Sequence, residues 1–235
     1  MKNKLYIAAL ATVIGVAGFA VNAATVFSVD IGDGTVFSTN TSATGSAASL
    51  EFSFLQNGAN VDLTVTAENT TGNTTFGSGA TLSRMMGFAF ETPDTVSFVS
   101  FTGTTIFSNL LQNDSSVNGG PFNSITFDLG AGNKSTLEGS GNPNDALAQG
   151  SSTSTLFKLN GLAEAAMATA FETGFADGTL ELGLRFKAVN GTGADSDKLL
   201  YRAPDAPSPV PLPAAAWMLL AGLGGLAAVK RRQHV

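Results

Sequence analysis

The 235-residue chain has no cysteine, a single histidine at position 234, one tryptophan and two tyrosines, and only 13% of its residues are charged. Without cysteine there is no disulfide, no thiolate metal ligand and no cysteine nucleophile. With His234 one residue from the C-terminus, the body of the chain has no imidazole for a Ser-His-Asp arrangement or a histidine metal site. Sugar sites usually stack the ring on an exposed aromatic, and between the two terminal segments Tyr201 is the only Tyr or Trp. Basic residues are also few: from Thr25 to Ser208 seven of them face 18 acidic residues, a net charge of −11. Such a chain repels nucleic acid and anionic headgroups, and no run of basic residues offsets the repulsion, so a nucleic-acid partner is excluded.

What is present is order at the two ends. Lys2 and Lys4 precede an apolar run from Leu5 to Val21, and Val21-Asn22-Ala23 then places small residues before a polar stretch. This is the three-part pattern of a secretory signal peptide, spanning 1–23 with the cut after Ala23 or, alternatively, Ala24. The other reading is a retained N-terminal anchor. Export permits disulfides without requiring them, and roughly 180 residues can bury a core unaided.

Residues 24–202 read as one domain built of strands. Val61, Leu63, Val65 and Ala67 alternate with Asp62, Thr64, Thr66 and Glu68; Leu180, Leu182, Leu184, Phe186 and Ala188 alternate with Glu181, Gly183, Arg185 and Lys187. A period of two sends one set of side chains inward and the other to water. Shorter runs are Leu50-Phe52-Phe54, Met86-Phe88-Phe90, Val96-Phe98 and Ile125-Phe127, separated by turn-rich stretches at 69–78, 112–121, 130–144 and 190–195. Seventeen phenylalanines suit a core filled from two inner faces. The expectation is an all-β, jelly-roll-like antiparallel sandwich with one wetted face. Leu162 to Phe171, between Asn160-Gly161 and Gly174, favours a short helix across one end. The small polar stretch 40–49 fits a loop or an exposed strand equally.

From Ala203 the composition changes. Residues 203–209 hold three prolines and read as an extended tether. Residues 214–229 are free of charge and as a helix would span about 24 Å, a little short of the roughly 30 Å hydrocarbon core. Lys230, Arg231 and Arg232 follow and would stay cytoplasmic as a basic stop cluster. Val210-Pro211-Leu212-Pro213-Ala214, the apolar helix and the terminal basic cluster together resemble the PEP-CTERM sorting signal in its VPLPA form. The resemblance covers about 26 residues at the very end of the chain. It implies a Gram-negative bacterium, recognition of residues 210–213 by the membrane protease exosortase, removal of the helix, and transfer from a transient stay in the inner membrane to the cell surface or extracellular matrix, often alongside exopolysaccharide. Leu212 stands where the common form has Glu, which leaves the exosortase subtype open. A permanent single-span anchor is the plainer reading. A fainter resemblance to exosortase-dependent surface proteins of unassigned function rests on Gly141-Asn142-Pro143-Asn144 with Leu147 and Gly150, Arg185-Phe186, and Asp195-Ser196-Asp197-Lys198.

The chemistry left to the domain is that of carboxylates. A catalytic pair must sit within about 5 to 10 Å; Glu51, Glu68, Asp128 and Glu181 are candidates, but strand positions of this kind are ordinarily solvated, and no enzyme is expected. Calcium takes oxygen ligands, and Asp30, Asp33, Asp195 and Asp197, with Asn142 to Asp145, are its candidate loops, although none completes an EF-hand and Asp and Asn also serve turns. No other cofactor is implied. Asn69-Thr70-Thr71 and Asn73-Thr74-Thr75 read as a solvated loop. Two functional classes follow: a structural or adhesive surface or biofilm-matrix protein, whose partners besides signal peptidase and exosortase are copies of itself or exopolysaccharide, and a carbohydrate-binding module.

Overall fold

A computed structural model of the chain describes residues 23–32, 37–39, 43–117, 122–123, 125–139, 141–190 and 196–203. The segment read as a signal peptide up to Asn22, Asp33, Asp195, the segment read as a tether from Pro204 and the whole of 210–235 lie outside them.

Two antiparallel sheets share one core. The first runs β1-β3-β4-β10-β6, with β1 at Thr25–Ile31, β3 at Ala48–Asn57, β4 at Asn60–Asn69, β6 at Ser97–Thr102 and β10 at Ser152–Asn160. The second runs β2-β12-β11-β5-β8-β7, with β9 paired to β5; here β2 is Phe37–Ser38, β5 Arg84–Phe90, β7 Asn109–Asp114, β8 Phe127–Gly132, β9 Leu147–Ala148, β11 Leu182–Lys187 and β12 Ser196–Tyr201. The expected alternation is clearest in the first sheet. Val61, Leu63, Val65 and Ala67 are fully buried while Asp62, Thr64 and Thr66 remain half-exposed and Glu68 exposed. Tight turning at Gly58, with φ +63°, joins β3 to β4. On the wet face the ladder carries polar cross-strand pairs: Asp30 accepts from Ser49 at 2.6 Å, Thr66 meets Ser154 at 2.9 Å, and Lys158 lies 3.8 Å from Asp62.

Phenylalanine rings bridge the sheets. Phe90 of β5 meets Phe52 of β3 and Phe157 of β10 edge-on, each at 5.6 Å, the geometry favoured by the ring quadrupole. One edge of this core is closed by α1, Glu164–Asp177, which buries Met167, Ala168, Phe171, Gly174 and Phe175. The helix overruns its expected end at Phe171. Gly174 lies inside it because the Leu180 side chain fills the space where a Cβ would stand, 2.5 Å from Leu180 Cγ; the true stop is Gly178 in the left-handed conformation.

The second sheet departs from the one-wet-face expectation. Its outer side carries a smaller apolar layer of Ala89, Leu111, Val117, Phe122, Ile125, Phe127, Leu137 and Leu200. Ala89, Gly183 and Leu200 form one row across β5, β11 and β12, and the Phe127 ring lies over Gly183, where an added Cβ would come within 2.6 Å of it. Glu181 and Arg185, expected to face water, are therefore only 8% and 7% exposed. Residues 43–48, left open between loop and strand, pack as buried extended chain leading into β3. Among the described residues no helix is long and apolar enough to cross a membrane.

Candidate functional site

Of the residues singled out for sorting, Ala23 alone is described; it is exposed, two residues before β1. The calcium candidates separate. Asp30 sits on the outer face of β1, its Oδ1 engaged by Ser49. Asp197 is 1% exposed on the inner side of β12, opposite Phe186. Its Oδ2 accepts from the Thr44 amide at 3.1 Å and the Thr44 hydroxyl at 2.6 Å, and its Oδ1 from Ser38 at 2.6 Å. The carboxylate thus clamps β2 and the 43–48 segment to β12. The Asn142 loop is a short 3-10 turn at Pro143–Asp145 in which Asn142 Oδ1 accepts from the Asn144 amide, an ordinary Asx cap. Among the described residues no group of three or more acidic or histidine side chains is arranged to hold a metal. Asn69, read as a solvated loop residue, is buried, and its amide donates to the carbonyls of Ser83 and Leu147 at 3.1 Å.

The four acids considered for catalysis also divide. Glu51 and Glu68 lie on β3 and β4 of the first sheet, each opposite Ser or Thr. Asp128 on β8 and Glu181, directly before β11, meet with Glu91, which follows directly on β5. Glu181 N donates to Glu91 Oε2 at 2.9 Å and Thr92 N to Asp128 Oδ2 at 2.7 Å. Arg202 pairs with Glu181. Burial, and then the charges of Glu181 and Asp128, raise the Glu91 pKa above the usual glutamate value, against the opposing pull of the Glu181 amide and Arg202. The sequence pointed to Asp128 and Glu181 but not to Glu91, whose only signal is its place at the end of the Phe88-Phe90 run.

Beside this trio runs a groove of about 750 Å³ lined by Thr92, Pro93 and Asp94, the Ala165, Ala166, Thr169, Ala170, Thr173, Gly174 and Asp177 face of α1, and Thr179 and Leu180. None of these side chains is aromatic, and Glu91, Asp128 and Glu181 are not among them. The groove presents methyl and hydroxyl groups between two exposed acids. It offers no aromatic stacking surface.

A second ionic group lies at the opposite end of the same sheet. Glu138, in the loop after β8, receives Arg185 Nη1 at 3.2 Å and Lys198 Nζ at 2.5 Å. Arg185 also donates to the Leu137 and Glu138 carbonyls, pinning that loop over β11.

No protein-family model, no curated protein and no solved structure matches the chain.

Proposed function

We propose that this is an exported bacterial surface or extracellular-matrix protein with a structural or adhesive role, released from the inner membrane by an exosortase. The observation that carries the reading is the order at the C-terminus: a proline-rich tether, Val210-Pro211-Leu212-Pro213-Ala214, a charge-free stretch of helix-forming length and Lys230-Arg231-Arg232. A removable helix needs recognisable residues on its outer flank and positive charge on its inner one, and both are present in that order. The two-sheet domain fits the role because it spends its polar groups on its own structure: Asp197, Asn69 and Arg185 serve internal contacts, and the groove lacks aromatics.

Intact mass and membrane fractionation of the protein from its host test the proposal. The expected mature form begins at Ala24 and lacks everything beyond about Pro213. Recovery of Trp217 to Arg232 in the inner membrane would instead establish a permanent anchor. Deleting Val210–Pro213 should strand the protein in the membrane with the domain's melting temperature unchanged. A carbohydrate-binding module is the second class, and saturable binding to one neutral polysaccharide would replace the structural reading with it.

A further inference from the structure

The second sheet breaks a pairing rule twice in adjacent positions. Across β11 and β12 Arg185 stands opposite Lys198, and across β5 and β11 Arg84 stands opposite Lys187. Like charges directly opposed on one face destabilise a ladder. Glu138 answers the first pair. The second is answered only in part, by the charge of Glu138 acting on Lys187. Arg84 is half-buried and makes no hydrogen bond or ion pair there, while Lys187 Nζ reaches only the Gly141 carbonyl at 3.2 Å. Arg185, two residues from Lys187 on the same face, keeps its Nε buried and without a partner. Lys134 lies exposed in the overlying loop, its Cβ against Gly139. Five of the seven basic residues between Thr25 and Ser208 are thereby gathered on one end of one face of an otherwise acidic chain. The described acids of the same region are Glu138, Asp145 of the 3-10 turn, and Asp114, whose carboxylate is taken by the Ser116 and Leu137 amides.

We propose that Arg84 and Lys187, with Arg185 behind them, form a binding site for an oxyanion: a carboxylate, sulfate or phosphate group, free in solution or carried on a saccharide. A guanidinium and an ammonium carried at opposed ladder positions supply the kinds of donor such a group takes. A local excess of positive charge is otherwise an unexplained cost, and rules broken locally tend to mark function. The electrostatics agree. Burial and then the Arg185 charge lower the Lys187 pKa, and Glu138 only partly opposes them. A bound anion would reverse the direction of that shift.

The test is lysine 13Cε NMR on the full chain in detergent at low ionic strength, titrated separately with sodium sulfate, sodium phosphate and oligogalacturonate. The expected result is a saturable change at Lys187 with a rise in its pKa, weakened about tenfold in Arg84→Gln by loss of one charged contact and retained in Arg84→Lys. Lys158→Gln, in the other sheet, should leave it unchanged. Tighter binding of oligogalacturonate than of the inorganic ions assigns the anion to a saccharide; the reverse order assigns it to a free ion. A Lys187 resonance that does not saturate with any of the three, or that responds equally in Arg84→Gln, overturns the site.

Discussion

At the scale of single residues, the buried carboxylates carry the sharpest expectations. Asp197 has both oxygens engaged by hydroxyl and amide donors, so its carboxylate is committed to the clamp. Asp197→Ala leaves the buried Thr44 amide unpaired and its hydroxyl with Ser46 alone, and should cost about 3 kcal/mol in chemical denaturation. Calcium and EGTA should give the same melting temperature. Glu91 behaves oppositely. Its folded-state pKa is raised, so the folded form holds its proton more tightly than the unfolded form, and stability falls as pH climbs through the glutamate range. Glu91→Gln keeps an oxygen to accept from the Glu181 amide and removes the charge. It should melt higher than the parent at pH 7, and the difference should vanish below the ordinary glutamate pKa of about 4.3. A mutant that melts lower at pH 7 would show that the Arg202 attraction outweighs burial.

Among the elements, β3, β4 and β11 were legible because a buried inner face and a polar outer one imprint a period of two. The strands that alternation marked weakly or not at all each have a physical reason. In β12 the inner positions are Asp197, Leu199 and Tyr201 and the outer ones include Lys198 and Leu200; with both faces covered, alternation is lost. In β10 the first half is Ser-Thr-Ser-Thr, and only Phe157 and Leu159 mark the core side. The edge strand β6 holds Phe98 and Phe101 against the core on one side because the pairing with β10 slips by one residue at Val99, so three-residue spacing replaced the expected two. Glu91 and the Arg84–Lys187 pair were invisible for another reason: their meaning lies in cross-strand neighbours about 90 to 100 residues away. The helix supplies a test with an inverted sign. Glycine to alanine inside a helix normally stabilises by up to about 1 kcal/mol, but Gly174→Ala drives a methyl into Leu180 and should destabilise by about 1–3 kcal/mol. Shortening the opposing side chain in Gly174→Ala/Leu180→Ala should restore part of the loss relative to Leu180→Ala alone.

Over the whole molecule, the core depends on rings that span both sheets. Phe90 touches Phe52, Phe157 and Phe171 together with Phe88. Phe90→Ala should lower stability by about 3–5 kcal/mol in a single cooperative transition, because neither sheet retains a covered inner face without the other. Wet and dry faces are unequally distributed: the first sheet shows Asp, Thr, Ser and Glu to solvent, while the second is buried on both sides. Charge is unequal too, with Glu91, Asp128 and Glu181 meeting where β5 ends and Arg84 standing where it begins. At about 3.3 Å per residue these ends are some 20 Å apart, so the sheet carries an electric polarity along its strands that the net charge conceals.

The Asp197 clamp has a bearing on timing. It joins Ser38 and Thr44 to a strand more than 150 residues later, and among the described residues β2 pairs with nothing but that strand. β2 and the 43–48 segment therefore have to wait for the last strand before they can settle, and contacts of such long range slow folding. A chain made from its N-terminus can pair β1, β3 and β4 early, yet the edge at β2 stays unsettled until Tyr201 has been made, so closing that edge reports that the last strand is in place.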